Sequence, residues 1–191
     1  MQNTSLQVLL FIVDTLTSLY VGAVLVRFLL QIARADFYNP LSQMIVKVTN
    51  PLLKPFRKVI PGFGGFDVVA LVLAFVAQLV FVQIILMIQG SSPGLYGGMV
   101  LVWTLLKVTM TLLNIYIFSM FIVAIASFIA PGNYNPALNL MRQLIEPICA
   151  PARRFIPPMG GMDFSFMAVA MLIYILKMFV IGIAGNYGIS L

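Results

Sequence analysis

The chain has no histidine at all. That removes imidazole general acid–base catalysis, histidine haem ligation and the commonest metal ligand. Cys149 is the only cysteine, so neither an intramolecular disulfide nor a Cys-x-x-Cys site can form. Acidic residues number five and are scattered, and only Asp67 and Asp163 stand in corresponding places. No serine has a plausible base for nucleophilic catalysis. No phosphate-cradling loop of the Walker or dinucleotide type occurs, because the glycines of 62–65 run into an apolar segment rather than linking strand to helix. These absences argue against an enzyme and against a bound metal or cofactor. Charged residues make up 8% of the chain, far below the ~25% of a soluble domain.

Apolar residues fill that space, at 62% of the sequence with a mean hydropathy of +1.08. Four long runs stand out: Leu6–Ala33, Val68–Ile88, Met99–Ile129 and Phe164–Ala184. A helix needs roughly 20 apolar residues to cross about 30 Å of hydrocarbon. The second and fourth runs match that length. The first and third are longer and must tilt or project. Continuous rather than alternating apolarity excludes barrel strands. The first run lacks a basic leader and a clear cleavage site, so it is expected to stay as an anchor. The expected fold is all-α and polytopic: four transmembrane helices in a single membrane domain, residues 1–191.

A polar, proline-punctuated stretch occurs twice. Tyr38-Asn39-Pro40 leads through Pro51, Pro55, Arg57, Ile60, Pro61, Gly64, Gly65 and Asp67. Tyr134-Asn135-Pro136 leads through Pro147, Pro151, Arg153, Ile156, Pro157, Gly160, Gly161 and Asp163, at a constant offset of 96. The chain therefore reads as two copies of one helix–loop–helix unit, 6–89 and 99–185. Each copy has two spans, so the copies run parallel, related by an axis along the membrane normal. Inverted transporter repeats need an odd number of spans.

Basic residues concentrate in the repeated loops. Arg34, Lys47, Lys54, Arg57 and Lys58 lie in the first, and Arg142, Arg153 and Arg154 in the second; the connection 89–98 and both tails carry no charge. Lysine and arginine stay on the cytoplasmic side. Loops 34–66 and 131–162 are expected there, with both termini periplasmic and the protein in a bacterial inner membrane. The net charge of +6 then faces an anionic leaflet, not nucleic acid.

Within each loop, apolar residues recur at helical spacing. Pro51 and Pro147 are expected to divide each loop into two short amphipathic helices lying in the cytoplasmic interface. Leu52, Leu53 and Phe56 would enter the acyl boundary, while Lys54, Arg57 and Lys58 reach headgroups. Asp67 and Asp163 precede apolar runs and are placed to cap transmembrane helices, or to pair with Arg57 or Arg153.

The Asn-Pro pairs at 39–40 and 135–136, Pro-x-x-x-Pro-x-Arg-[Lys/Arg] at 51–58 and 147–154, and Pro-x-x-Gly-Gly-x-Asp at 61–67 and 157–163 resemble the YggT family of small bacterial membrane proteins, which has relatives in chloroplasts. The resemblance covers nearly the whole chain, in the duplicated form of Gram-negative bacteria. It implies a role in osmotic-stress tolerance, envelope organisation or membrane-complex assembly, and offers no catalytic residue. The second copy departs from the first: Lys47, Lys54 and Phe56 become Gln143, Ala150 and Ala152, and Arg27 and Arg34 correspond to Val123 and Ala130.

Charges inside the apolar runs are costly and need a partner or water. Asp14, Lys107 and Lys177 fall at similar depth, so Asp14 is expected to pair with Lys107 or Lys177 as an interhelical lock. Arg27 is expected to snorkel to phosphate, with Asp36 or Asp67 as possible partners. Ser18 and Gly22 form a small-xxx-small pair that permits close approach. Twelve methionines, spread without clustering, read as packing rather than metal transport.

The function expected is a non-enzymatic scaffold, assembly or regulatory subunit. Lys54, Arg57, Lys58, Arg153 and Arg154 would hold anionic lipid or a membrane-protein partner, and a homo-oligomer is open. The alternative is an ion channel or transporter, or a subunit of one, in osmotic or potassium homeostasis, lined by Asn114, Gln78 and Gln83.

Overall fold

The computed structural model describes residues 4–59, 67–88, 90, 97–129, 135–156 and 164–187. Among them there are six helices and no strand: α1 (Thr4–Ile32), α2 (Pro40–Val59), α3 (Val68–Ile88), α4 (Gly97–Ile129), α5 (Pro136–Phe155) and α6 (Phe164–Asn186). Helices α1, α3, α4 and α6 are long and apolar enough to cross a membrane. Their polar backbone closes on itself within each helix, which is what a hydrocarbon solvent demands. Helix α4, with 33 residues, extends roughly 50 Å at 1.5 Å per residue and so exceeds the hydrocarbon thickness.

Helix α1 packs on α3 and α4, and α4 packs in turn on α3 and α6. One cluster joins Val21, Val24 and Leu25 of α1 to Val69, Ala70, Leu73 and Ala74 of α3, with Leu53 of α2 and Val108 of α4. A second joins Leu29 and Leu30 to Leu113 and Met120 of α4, to Leu140, Leu144, Ile145 and Cys149 of α5, and to Val169 and Ile173 of α6. Loop helices α2 and α5 touch each other, so the two repeated loops share one end of the bundle.

Each described loop is one helix of 20 residues that runs straight through its two prolines. The expected division at Pro51 and Pro147 does not occur. Pro51 and Pro55, like Pro147 and Pro151, are four residues apart and exposed. The lost hydrogen bonds therefore line one outward face and leave the packed side of the helix intact. Asn39 and Asn135 begin these helices. The Asn39 side-chain oxygen accepts from the Leu41 N–H at 3.0 Å, and that of Asn135 from the Ala137 N–H at 2.9 Å, with proline at the next position.

Helix α1 ends in a Schellman motif. The Ala35 N–H donates to Leu30 O at 2.9 Å and the Arg34 N–H to Gln31 O at 3.1 Å. Arg34 occupies the left-handed position at φ 49°, where glycine is usual.

Candidate functional site

The first repeat builds a buried charge cluster where α1, α2 and the start of α3 meet. Arg27, only 7% exposed, points from α1 into the middle of α2. Its Nη1 donates to Thr49 Oγ1 at 2.8 Å, to Asn50 Oδ1 at 2.9 Å and to Val46 O at 3.3 Å. Its Nε lies 3.8 Å from Asp67 Oδ2. Arg27 does not snorkel: the polar edge of α2 meets it inside the protein and replaces the phosphate it was expected to seek. Asp36 is not its partner, since the Asp36 carboxylate accepts from the Tyr38 N–H.

Asp67 serves two purposes. Its Oδ1 accepts from the Ala70 N–H at 3.3 Å, which satisfies an open donor of α3. Its Oδ2 is bound by the Arg57 Nη2, with Arg27 behind. One carboxylate thus holds two guanidiniums. Asp67 is 4% exposed at the side chain, whereas Arg57 is 44% exposed and fronts the surface. Asp163 lies outside the described residues. In the second copy Arg153 donates to Glu146 Oε1 at 2.7 Å along its own helix, and Glu146 stands where the first copy has Asn50.

The basic residues of α2 sort by face. Leu53 is fully buried in the bundle and so does not reach the acyl boundary as expected, and Phe56 is half-buried against the same cluster. Leu52 is exposed and continues a stripe with Met44 and Val48. Lys47, Lys54 and Lys58 form the neighbouring exposed stripe. Among the described residues, none of these lysines has a carboxylate within ion-pair distance. Arg154 is likewise exposed on α5.

In the first half of their helices, Lys107 Nζ of α4 meets Asp14 Oδ1 of α1 at 2.5 Å. Lys177 of α6 has no described carboxylate partner. Gly22 faces Thr111 of α4, but an added Cβ would sit 4.0 Å from its methyl group, so the small pair does not enforce contact.

The repeated pattern on these helices decides the kinship. The family model described as CCB3/YggT matches residues 6–89 and again residues 102–184. The chain belongs to the CCB3/YggT family. Similar relatives include an uncharacterized protein of Pseudomonas aeruginosa, 45% identical over 167 residues and 85% of each chain. An uncharacterized protein YggT of Escherichia coli K12 is 35% identical over 170 residues, 89% of this chain and 87% of its own. An uncharacterized protein of Vibrio alginolyticus is 36% identical over 159 residues, 83% of this chain and 85% of its own. No solved structure matches.

The sequence did not signal Thr49 and Asn50 as partners of Arg27, since they lie more than twenty residues away on another helix. The capping role of Asn39 and Asn135 was likewise not read from the sequence, although Asn-Pro before an amphipathic run carries that signal.

Proposed function

We propose that this CCB3/YggT-family protein is a non-enzymatic inner-membrane scaffold or regulatory subunit that docks anionic headgroups at the end carrying α2 and α5. The observation behind this reading is the division of labour among its cations. Arg27 is committed to the interior by four partners. Lys54 and Lys58 stand on one exposed stripe without a carboxylate, with Arg57 exposed on the same helix end, and α5 carries the exposed Arg154. A basic surface beside a membrane-spanning bundle suits an anionic leaflet, worth about 1 kcal/mol per residue near the surface. The charge bias of the loops puts this end in the cytoplasm and both termini in the periplasm. The resemblance to YggT proteins supplies the setting, osmotic-stress tolerance and envelope homeostasis, in which a lipid-anchored scaffold would recruit a membrane partner.

The test is capture of the tagged protein from native membranes in mild detergent, beside a Lys54→Gln/Lys58→Gln/Arg154→Gln variant. A stoichiometric protein lost by the variant supports the scaffold. Recovery of the same proteins by both chains rejects this surface as the site that recruits a protein partner. Arg57 is left unchanged because it also holds Asp67.

Ion conduction is the second reading. It is favoured by Tyr20 Oη, Gln83 Oε1 and Trp103 Nε1, which are buried without a hydrogen-bond partner in the described interior, and by the burial of Gln78. Asn114 is exposed and does not join them. Raised ion flux in liposomes holding only this protein, altered by Asp14→Asn, would favour it over the scaffold.

A further inference from the structure

The two copies meet through unlike faces, and each copy keeps one of those faces open. Where copy one meets copy two, Val82 and Leu86 of α3 are buried with Val100 of α4, and Leu79 and Trp103 pack around them. At the constant offset of 96, the counterparts on α6 are Met178, Gly182 and Ile175, and on α1 they are Thr4 and Gln7. All of these are exposed, Met178 by 59% and Ile175 by 40%. Among the described elements α6 packs on α4 and α5 but not on α1.

The loop helices repeat the pattern independently. Leu140 and Leu144 of α5 are buried in one cluster with Leu29 and Leu30 of α1. Their counterparts on α2 are Met44 and Val48, 57% and 53% exposed, and the counterpart of Leu29 is Ile125 on α4, also exposed. The Asn39 amide Nδ2 crosses between copies to donate to Pro136 O at 2.7 Å. The side chain of its counterpart Asn135 accepts from the Ala137 N–H of its own helix and makes no bond to the other copy among the described residues, and Pro40 is exposed.

From these matched sets we infer that a second copy of this chain covers the open faces, in a closed dimer of four hairpins. Helix α6 and the end of α4 of one chain lie on α1 and α2 of the other, reproducing the contact already made within each chain. Every pairing runs in the same direction: the face that copy one presents to copy two, copy two presents to copy one of the next chain. Such a head-to-tail interface forms a ring if the rotation closes and a filament if it does not. Between lipid-facing helices the driving force is packing and interhelical hydrogen bonding, and Gly182 of α6 opposite Thr4 and Gln7 of α1 supplies the small and polar residues that such contacts use.

The test is thiol oxidation of the full-length protein in lipid bilayers, carrying Thr4→Cys, Met178→Cys or both. Both positions are exposed, so folding is undisturbed, and Cys149 is fully buried. The double variant is expected to run as a covalent dimer on a denaturing gel, and each single variant as a monomer. A monomeric double variant overturns the proposal. So does a ladder of higher species, which signals an open array, or a dimer from Met178→Cys alone, which signals α6 against α6. The mass of the unmodified protein in mild detergent is a second measure: two chains are expected, and one chain contradicts the dimer.

Discussion

Replacing Asp67 by asparagine isolates the charge at the centre of the first repeat. Asparagine keeps an oxygen for the Ala70 N–H, so the cap on α3 survives. What disappears is the countercharge to Arg27, which is 7% exposed and then faces Arg57 with no carboxylate between them. Breaking a buried ion pair by removing one partner costs about 3–5 kcal/mol. The retained bonds from Arg27 to Thr49, Asn50 and Val46 O solvate the guanidinium, which places the expected loss near ~3 kcal/mol, at the lower end of that range. For a chain of this size each kcal/mol moves Tm by about 2–4 °C, so Asp67→Asn should melt roughly 6–12 °C lower. The Arg27→Met/Asp67→Asn double variant should recover more than half of that, because the uncompensated charge is gone and Met fills the space. Arg57→Gln should cost no more than about 1 kcal/mol, since an exposed partner contributes little. The assay is thermal unfolding in one detergent, followed by tryptophan fluorescence or circular dichroism. A loss under about 1 kcal/mol for Asp67→Asn, or a double variant less stable than both singles, would refute the cluster as a buried electrostatic unit.

Three further outcomes follow from neighbouring geometry. Asp14→Asn should destabilise by about 1–3 kcal/mol, and Asp14→Asn/Lys107→Met should restore most of it; unchanged melting would show that the α1–α4 ion pair carries no weight. Arg34→Gly should raise stability by about 1 kcal/mol, because glycine adopts the left-handed position without the Cβ clash; a lower Tm would mean the Arg34 side chain itself is needed. Gly22→Ala should be neutral or stabilising by up to about 1 kcal/mol, since helix propensity improves and the space is open; a marked loss would restore the small-residue contact.

The spans were legible because hydrocarbon imposes both a length and a composition, and Val68–Ile88 coincides with α3 end to end. The course of the loops was less so. Proline is read from sequence as a break, yet Pro51 and Pro55 lie four apart on an exposed face, and only the packed arrangement shows that the opposite side stays intact. The same limit applies to Leu52 and Leu53, adjacent apolar residues of which one is exposed and the other fully buried. Depth along the chain brought Asp14 and Lys107 to one level, while the choice against Lys177 depends on α6 lying away from α1. Arg27 was visible as an intramembrane charge. Its cradle was not, because Thr49 and Asn50 carry no pattern of their own and are brought to it by the return of α2 along α1.

The most direct measurement is the retention of an anionic lipid, phosphatidylglycerol or cardiolipin, by the purified protein in native mass spectrometry. The comparison is with the Lys54→Gln/Lys58→Gln/Arg154→Gln variant. Loss of three surface cations at about 1 kcal/mol each predicts roughly a hundredfold weaker binding. Equal retention by the two chains would contradict a headgroup-docking role for the α2–α5 end.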